Sequence, residues 1–172
     1  GNAQNLCLLQ YTVAPEEGGF RKADLPFTYV PSHLHHMLFE LIKNSMRAVV
    51  EFHGPDCPKL PTIRVVVAEG HEDLTIKVSD EGGGIPRSGI SRIWTYLYTT
   101  GDPSRLAPSS LYHSDFQAPM AGLGYGLPIS RLYARYFGGD LQVISMEGYG
   151  TDAYLHLKRL ATTEESLPRR LH

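Results

Sequence analysis

Hydrophobic and polar residues recur with helical spacing from residue 36 to residue 49. At about 100° per residue, the polar side chains fall into one stripe roughly 100° wide, and apolar side chains cover the rest of the helix. The polar stripe consists of His36, Glu40, Lys43, Asn44 and Arg47. The pattern predicts a helix that begins at Pro31, with Ser32 as its cap, ends near Phe52 and is buried on most sides.

A buried polar stripe needs partners, because an unpaired charge inside a protein is costly. One interpretation is that a polar, charged ligand occupies the space beside the helix. The other is that the stripe residues satisfy one another, with Glu40 pairing with Lys43, Asn44 or Arg47. For an arbitrary helix the second interpretation is favoured. Motifs elsewhere in the chain are needed to distinguish a ligand site from internal pairing.

Two β-hairpins are predicted from segments rich in β-branched residues. The first pairs residues 63–68 with residues 74–79, and the second pairs residues 141–146 with residues 151–157. In the second hairpin, Thr151 has the same parity as the apolar residues of its strand, so its side chain is expected on the core side.

Asp80 ends the second strand of the first hairpin. It shares parity with Leu74, Ile76 and Val78, so the strand is expected to point a carboxylate towards the core. The glycines at residues 82–84 follow at once and permit close approach of another group. An aspartate that bonds the backbone of its own turn is the alternative, and this segment leaves the two equally open.

Two further helices are predicted downstream. Ser88 can cap a helix that runs to about Thr99, and a second helix ends at Gly138 and Gly139. The buried face of the first would consist of Ile90, Ile93, Trp94 and Leu97. The buried face of the second would consist of Ile129, Leu132, Tyr133, Tyr136 and Phe137.

The remaining segments are assigned to loops and chain ends. Residues 2–10 have the pattern of the last turns of a helix, and residues 27–30 that of a short extended piece. Residues 13–26 have the composition of a surface loop, and residues 101–121 that of a lid. The segment from residue 161 is expected to be a polar tail.

Composition excludes several classes of protein. The 172 residues, 42% of them hydrophobic, suit one globular domain, and a net charge of -2 disfavours nucleic-acid binding. Cys7 and Cys57 suggest neither a disulfide framework nor a zinc site, and no apolar run is long enough to span a membrane. The sequence starts at Gly1 without methionine, so any targeting segment is expected to have been removed or left out.

Three histidines close together, His33, His35 and His36, raise the question of a metal site. No cysteine or carboxylate completes a recognised ligand spacing with them. A metal site is therefore disfavoured for this cluster.

A glycine-rich loop covers residues 122–127, directly before a predicted helix. Backbone amides at such a helix entrance form an anion site, which suggests phosphate. The spacing matches neither a dinucleotide-binding fingerprint nor a Walker-type loop. The chain also has no His-Arg-Asp or Asp-Phe-Gly motif, which excludes a conventional eukaryotic protein kinase.

Taken in order, four motifs resemble the ATP-binding fold shared by histidine kinases, certain chaperones, gyrases and mismatch-repair ATPases, the GHKL or Bergerat fold. They are Glu40-x-x-x-Asn44, Asp80-x-Gly82-x-Gly84, Gly122-x-Gly124-x-Gly126 and Thr151. Longer motifs resemble the mitochondrial pyruvate dehydrogenase kinases, with the branched-chain 2-oxoacid dehydrogenase kinases next. These motifs are Pro31-Ser32-His33-Leu34, Phe39-Glu40-Leu41, Lys43-Asn44-Ser45-Met46-Arg47-Ala48, Tyr125-Gly126-Leu127-Pro128-Ile129-Ser130-Arg131 and Ser145-Met146-Glu147-Gly148-Tyr149-Gly150-Thr151-Asp152.

The resemblance, which covers about residues 2–160, implies an α/β fold of the α+β sandwich type. A mixed, mostly antiparallel sheet would be covered on one face by about three helices, with a mobile ATP lid. Residues 1–12 would end a helix of an N-terminal helical domain that lies outside this chain. Residues 13–160 would form the ATP-binding kinase domain, and residues 161–172 a C-terminal tail.

The resemblance also implies ligands and residue roles. ATP and Mg²⁺ would be the cofactors, with K⁺ near the phosphates as a further candidate. Asn44 would bind Mg²⁺, and Asp80 would accept a hydrogen bond from the adenine amino group with Thr151 nearby. Glu40 would act as general base, tuned by His36, for which a packing role stays equally open. Further nucleotide contacts would come from Lys43, Arg47, Gly82, Gly84, Thr99, Thr100, Gly122, Leu123, Gly124, Tyr125, Gly126 and Leu127.

The implied function is that of a protein serine kinase domain that phosphorylates and inactivates a 2-oxoacid dehydrogenase complex, foremost pyruvate dehydrogenase, in the mitochondrial matrix. The implied partners are ATP or ADP, the decarboxylating component, a lipoyl domain held by the N-terminal domain, and a second subunit in a homodimer. Neither nucleic acid nor a membrane span is expected.

Three alternatives stay open. They are a branched-chain 2-oxoacid dehydrogenase kinase, a conformational ATPase in which Glu40 activates water, and a nucleotide-sensing module without chemistry. A histidine kinase is less favoured, because the sequence contains neither a receiver domain nor a dimerisation helix with a phosphoacceptor histidine.

Overall fold

A computed structural model describes residues 9–13, 27–54, 56–70, 72–98 and 124–159. Within these residues, five strands, two α-helices and one short 3₁₀-helix are formed. In chain order they are β1 (Leu9–Val13), α1 (Pro31–His53), β2 (Ile63–Glu69), β3 (Asp73–Asp80), the 3₁₀-helix (Arg92–Trp94), α2 (Gly126–Tyr136), β4 (Asp140–Met146) and β5 (Gly150–Lys158).

The strands form one mixed sheet in the order β1-β2-β3-β5-β4. β1 runs parallel to β2, and the other neighbouring pairs are antiparallel. The α/β class and the mostly antiparallel sheet are therefore confirmed. The register places Thr151 of β5 opposite Asp80 on one side and opposite Ser145 on the other. Three polar side chains thus meet at one end of the sheet.

Both predicted hairpins are present, as the antiparallel pairs β2–β3 and β4–β5. Along β3, buried and less buried residues alternate, and Asp80 is buried together with Leu74, Ile76 and Val78. The inward direction of Asp80 is therefore confirmed. The turn between β4 and β5 packs on the loop after β3, since the Gly83 amide donates to the Tyr149 carbonyl at 3.1 Å.

The helices α1 and α2 pack against each other and against the sheet. Their buried side chains and those of the sheet form a single apolar cluster. Its fully buried members include Met37, Val49, Ile63, Val78, Ala134, Leu141, Leu155 and Leu157. Burying each large member stabilises the fold by about 1.5–3 kcal/mol, so this cluster fixes the elements that carry the polar residues.

Helix α1 has the predicted extent but not the predicted cap. Val30 is the N-cap residue, with φ -80° and ψ 110°, and no side chain caps the helix. Proline suits the first helical position, because its φ is preset and it lacks an amide that would go unbonded, so Pro31 starts the helix and Ser32 lies inside it. The predicted end near Phe52 is confirmed, since the helix ends at His53.

The prediction that α1 is buried on most sides is wrong for some of its apolar residues. Phe39 is 53% exposed and Phe52 is 54% exposed. Helix α1 contacts α2, β2 and β3, and side chains that point away from these elements are left exposed.

The predicted helix from Ser88 to Thr99 is wrong, because only Arg92–Trp94 form a 3₁₀-helix. Thr95 is extended, with φ -89° and ψ 134°, and Leu97 has a positive φ of 67°. Leu97 is also 65% exposed instead of buried. The β-branched and aromatic residues from Thr95 onward have low helix propensity, which explains the early end.

Helix α2 exists, but its buried face differs from the predicted one. Leu132 is 56% exposed and Tyr136 is 77% exposed. The buried residues are instead Pro128, Ser130 and Ala134. These residues are smaller, which allows α2 to lie close to its neighbours.

Residues 9 and 10 belong to strand β1 and not to a helix, so the prediction for residues 2–10 is wrong there. They pair with residues 63 and 64 of β2, and this pairing overrides their local pattern. The predicted lid at residues 101–121, the tail from residue 161 and most of the loop at residues 13–26 lie outside the described residues. None of the helices in the described part of the chain has the length and apolar character needed to cross a membrane.

Candidate functional site

A cavity of about 500 Å³ lies between α1, α2, the loop after β3 and the ends of β4 and β5. This volume is typical of cofactor and small-molecule sites. Most of the residues singled out from the sequence line it. They are Glu40, Lys43, Asn44, Arg47, Asp80, Gly82, Gly84, Gly124, Gly126, Leu127 and Thr151.

Two described residues singled out from the sequence, His36 and Tyr125, do not line the cavity. His36 lies one helical turn before Glu40, and Tyr125 is the N-cap residue of α2. Thr99, Thr100, Gly122 and Leu123 lie outside the described residues.

Asp80 supplies a buried carboxylate at one end of the cavity, with only 7% of the residue exposed. Its Oδ2 accepts a hydrogen bond from the Ser45 hydroxyl at 2.8 Å, and its Oδ1 accepts one from the Gly82 amide at 3.0 Å. Burial raises the pKa of Asp80, and these hydrogen bonds oppose the rise. Both interpretations of Asp80 hold, because it faces the cavity and also bonds the backbone of its own turn.

The loop after β3 approaches the β4–β5 turn so closely that it requires glycine. Gly84 has a φ of 71°, and a Cβ at this position would lie 2.1 Å from the Met146 carbonyl oxygen. No other residue type fits such a contact without moving the backbone. This fixes the loop that borders the Asp80 end of the cavity.

Glu40 is buried, with 8% of the residue exposed, and lies against the start of α2. A Cβ on Gly126 would be 2.1 Å from Glu40 Oε2, so glycine is what lets the carboxylate approach the helix. The positive end of a helix dipole favours a carboxylate at this place. Glu40 also forms an ion pair with Lys43.

The pairing of stripe residues with one another is therefore partly realised. Glu40 and Lys43 are paired, but Arg47 pairs instead with Glu51 at 3.6 Å. Asn44 lines the cavity, and its amide has no hydrogen-bond partner among the described residues. The polar side chains of the stripe thus pair with one another only in part, and the remaining polar groups can bind a ligand.

His36 packs with its edge against the Tyr133 ring, at a centroid distance of 5.5 Å and an angle of 78°. Burial lowers its pKa, and the nearby Glu40 carboxylate opposes this change. Its Nε2 is buried and has no hydrogen-bond partner among the described residues. His36 is therefore favoured in its neutral form and retains one unused polar atom.

The other two histidines have packing contacts. His33 stacks on Tyr133 at 4.2 Å and 3°, and His35 stacks on Phe39 at 6.1 Å and 11°. Across the residues that the structure describes, there is no group of three His, Cys, Asp or Glu side chains that could hold a metal ion.

Two serines at this site were missed by the sequence analysis. Ser45 lies on α1 and bonds Asp80, and Ser145 lies on β4 and contacts the Thr151 hydroxyl at 3.0 Å. The signal for Ser145 is its parity, which it shares with the buried Leu141 on β4. The signal for Ser45 is its helical spacing, because it lies four residues from both Leu41 and Val49, which are buried on α1.

The two ends of the cavity suit different chemical groups. At the sheet end, Asp80 offers a carboxylate acceptor to a ligand that carries N–H donors. At the other end, the start of α2 and the cations Lys43 and Arg47 favour an anion, and the Asn44 oxygen could take a hard cation. A ligand with a donor-bearing ring, an anionic tail and a bound magnesium ion would match both ends.

Comparison with known families gives one family model that matches most of the chain. The model described as histidine kinase-, DNA gyrase B-, and HSP90-like ATPase covers residues 29–161. The matched range includes the cavity and both hairpins.

Individual relatives are similar over nearly the whole chain. A mitochondrial pyruvate dehydrogenase (acetyl-transferring) kinase of Arabidopsis thaliana is 57% identical over 167 residues, which are 97% of this chain and 46% of the relative. The enzyme of the same name from Schizosaccharomyces pombe is 52% identical over 96% of this chain and 40% of its own length. Isozyme 4 from Homo sapiens is 51% identical over 95% of this chain and 40% of its own length. The chain thus spans less than half the length of these curated relatives.

Proposed function

Since this chain belongs to the family of histidine kinase-, DNA gyrase B- and HSP90-like ATPases, we propose that its cavity binds Mg·ATP for a protein serine kinase of pyruvate dehydrogenase. The observation that carries the proposal is the pairing of a buried acceptor, Asp80, with a helix N-terminus and basic side chains in one cavity. The names of the relatives support the choice of reaction and of substrate.

At the sheet end, Asp80 would accept a hydrogen bond from the exocyclic amine of adenine. Its two oxygens are already oriented by Ser45 and Gly82, so little reorganisation would be needed on binding. Thr151, opposite Asp80 in the register, would contact the same edge of the base. Gly82 and Gly84 would keep the loop beside the base in place, because a Cβ on Gly82 would lie 2.6 Å from the Ala48 Cβ and one on Gly84 would lie 2.1 Å from the Met146 carbonyl oxygen.

At the anionic end, the residues of α1 and α2 would hold the phosphates. Asn44 would hold Mg²⁺, which would neutralise phosphate charge when bound. Lys43 and Arg47 would add positive charge, together with the backbone amides at the start of α2. The same role is proposed for the residues outside the described ranges, which are Thr99, Thr100, Gly122 and Leu123.

Glu40 would take the proton from the hydroxyl of a substrate serine. Glu40 lies on α1 and packs against the start of α2, so it is beside the place where the phosphates would lie. His36, one turn earlier, would tune Glu40, because a neutral imidazole can accept or relay a proton. Before transfer, the Glu40–Lys43 pair would have to loosen so that Lys43 can face the nucleotide.

The proposed substrate is the decarboxylating component of the pyruvate dehydrogenase complex, in the mitochondrial matrix. A lipoyl domain and a second subunit in a homodimer are proposed partners of the full-length protein, and K⁺ near the phosphates is a proposed second ion. All of these rest on resemblance to relatives that are more than twice as long as this chain.

The proposal is tested by following transfer of labelled phosphate from Mg·ATP to the decarboxylating component. Transfer by the wild-type chain that Glu40→Gln reduces by at least about 100-fold, with ADP affinity nearly unchanged, is expected. Ser32→Ala, on an exposed position of the same helix, is the control and should match wild type.

Other outcomes of this experiment would contradict parts of the proposal. Phosphate release to water at the same rate with and without the protein acceptor would favour a conformational ATPase. Transfer to the branched-chain component alone would move the chain to that kinase class. Nucleotide binding without any turnover would indicate a sensing module, and an unchanged Glu40→Gln rate would remove Glu40 from the base role.

A further inference from the structure

We propose, resting on the nucleotide function proposed above, that Ser145 is a positioning residue that fixes the Thr151 hydroxyl as an acceptor towards the base. Ser145 does not line the cavity, whereas Thr151 does. Ser145 therefore acts on the bound base through Thr151 and makes the cavity prefer aminopurines to oxopurines.

Ser145 has three polar neighbours, one in the loop after β3 and two at the start of β5. Its Oγ accepts a hydrogen bond from the Ile85 amide at 2.7 Å. It lies 3.2 Å from the Gly150 carbonyl oxygen and 3.0 Å from the Thr151 hydroxyl oxygen. A serine hydroxyl has one proton to donate and two lone pairs to accept, so three neighbours use its full capacity.

Only one arrangement of protons satisfies all three contacts. The Ile85 amide can only donate and the Gly150 carbonyl can only accept, so Ser145 must donate its proton to Gly150. Its second lone pair then accepts the proton of Thr151. The reverse arrangement would leave two acceptor oxygens facing each other at 3.2 Å, which is unfavourable.

This arrangement of protons determines which hydrogen bonds Thr151 can form with a ligand. Its proton is committed to Ser145, so its lone pairs alone are available on the cavity side. Asp80, opposite Thr151 in the register, is an acceptor as well when ionised. The sheet end of the cavity thus presents acceptors only, and the matching ring edge must donate, directly or through one water.

The strand geometry explains why Ser145 can hold this arrangement. It is opposite Thr151 in the β4–β5 register, so the two side chains project from neighbouring positions on the same face. The Ile85 amide that it accepts belongs to the loop after β3. Ser145 therefore connects that loop, β4 and β5 at the base end of the cavity.

Calorimetric titration of the 172-residue chain with Mg·ADP and with Mg·IDP tests the proposal. IDP carries a carbonyl oxygen where ADP carries the exocyclic amine, so the ratio of the two Kd values measures the preference for a donor. In Ser145→Ala, the Thr151 proton is free to turn towards the cavity, and we expect the ratio to fall by about 3- to 10-fold. In a Thr151→Val background, Ser145→Ala should cause no further change in the ratio.

Ser79→Ala is the matched control, because Ser79 is on β3, the other neighbour of β5, with the parity opposite to that of Asp80. Its ratio should equal that of wild type. A purely structural role of Ser145 would weaken ADP and IDP equally and leave the ratio unchanged, which would overturn the proposal. A folded wild-type chain that binds neither nucleotide would instead contradict the proposed function.

If Ser145→Ala does not fold, two other variants test the proposal. Ser145→Thr keeps the hydroxyl and is expected to retain the wild-type ratio, whereas Thr151→Val is expected to lower it. A Thr151→Val ratio equal to that of wild type would overturn the proposal.

Discussion

Ser45 donates a hydrogen bond to Oδ2 of Asp80 across 2.8 Å, and both residues are buried. The contact joins the middle of α1 to the end of β3. Since α1 also carries Glu40 and Asn44, this single bond helps to fix the two ends of the cavity relative to each other.

Replacing Ser45 should therefore destabilise the fold. Ser45→Ala leaves one oxygen of the buried Asp80 without its donor, and we expect the free energy of unfolding to fall by about 1–3 kcal/mol. Urea unfolding followed by circular dichroism measures the change. Ser32→Ala, at an exposed position of the same helix, should stay within about 0.5 kcal/mol of wild type. Equal losses in both variants would contradict the role of the Ser45–Asp80 bond.

Asp140 connects the end of α2 to the start of β4 through hydrogen bonds. Its Oδ1 accepts hydrogen bonds from Arg135 at 2.8 Å and from Arg131 at 3.1 Å, and the Arg131 guanidinium lies 4.2 Å from the centre of the Trp94 ring. Arg135 is the main cause that lowers the pKa of Asp140 from 3.8 to about 2. The cluster thus links α2, β4 and the 3₁₀-helix beside the cavity.

Asp140→Asn should cost stability in a pH-dependent way. At pH 7 we expect a loss of about 1–2 kcal/mol, reduced from the full effect of the lowered pKa because the carboxylate is partly exposed. A lowered folded-state pKa gives stability that is present above pH 3.8 and lost as the pH falls towards 2. The difference between wild type and variant in urea unfolding should shrink over that range. A difference that does not vary with pH would contradict this, and Asp56→Asn, at an exposed position, is the control.

Gly126→Ala should preserve the stability of the fold and slow the proposed phosphate transfer. Alanine favours the helix by about 0.5–1 kcal/mol, but its Cβ would lie 2.1 Å from Glu40 Oε2. The flexible carboxylate is expected to move aside, so the fold is retained while phosphate transfer falls by at least about 10-fold. Thermal unfolding and the transfer assay measure the two quantities. Transfer at the wild-type rate would show that the position of Glu40 against α2 is not required.

Lowering the pH should weaken binding of the adenine base. Burial raises the pKa of Asp80, so it takes up a proton above pH 3.8 and then ceases to be an ionised acceptor. We expect the affinity for adenosine, which has no phosphate of its own to titrate, to fall as the pH drops through this raised pKa. An affinity that stays constant down to pH 3.8 would contradict the role of Asp80.

The same raised pKa has the opposite effect on stability. The folded chain binds this proton more readily than the unfolded chain, so the contribution of Asp80 to stability is largest below pH 3.8 and is lost as the pH rises through the raised pKa. Urea unfolding of wild type and Asp80→Asn across this range measures it.

Local periodicity predicted α1, α2 and the two hairpins that line the cavity, but not the 3₁₀-helix beside them. The parity of β3 placed Asp80 correctly, because alternation along a strand is set by the backbone alone. The helical stripe likewise brought Glu40 and Asn44 to one side of α1, where both line the cavity. The start and end of each hairpin strand differ from prediction by at most one residue.

Features that depend on distant partners could not be predicted in this way. Leu97 fits a helical pattern, yet it lies in a turn with positive φ. Leu132 was expected in the core but is exposed, because α2 packs through Ser130 and Ala134 instead. The roles of Ser45 and Ser145 arise from contacts 35 and 60 positions away in the sequence, and periodicity contains no information about such contacts.

The central claim is that this cavity binds an adenine nucleotide through Asp80, and calorimetric titration with Mg·ADP tests it most directly. We expect saturable binding by the wild-type chain, a loss of affinity of about 10- to 150-fold or more in Asp80→Asn, and unchanged binding in Asp152→Asn. Asp152 is a suitable control because it lies on β5 next to Thr151 and is engaged by Lys77 at 2.8 Å. No binding by a folded wild-type chain, or equal binding by wild type and Asp80→Asn, would contradict the claim.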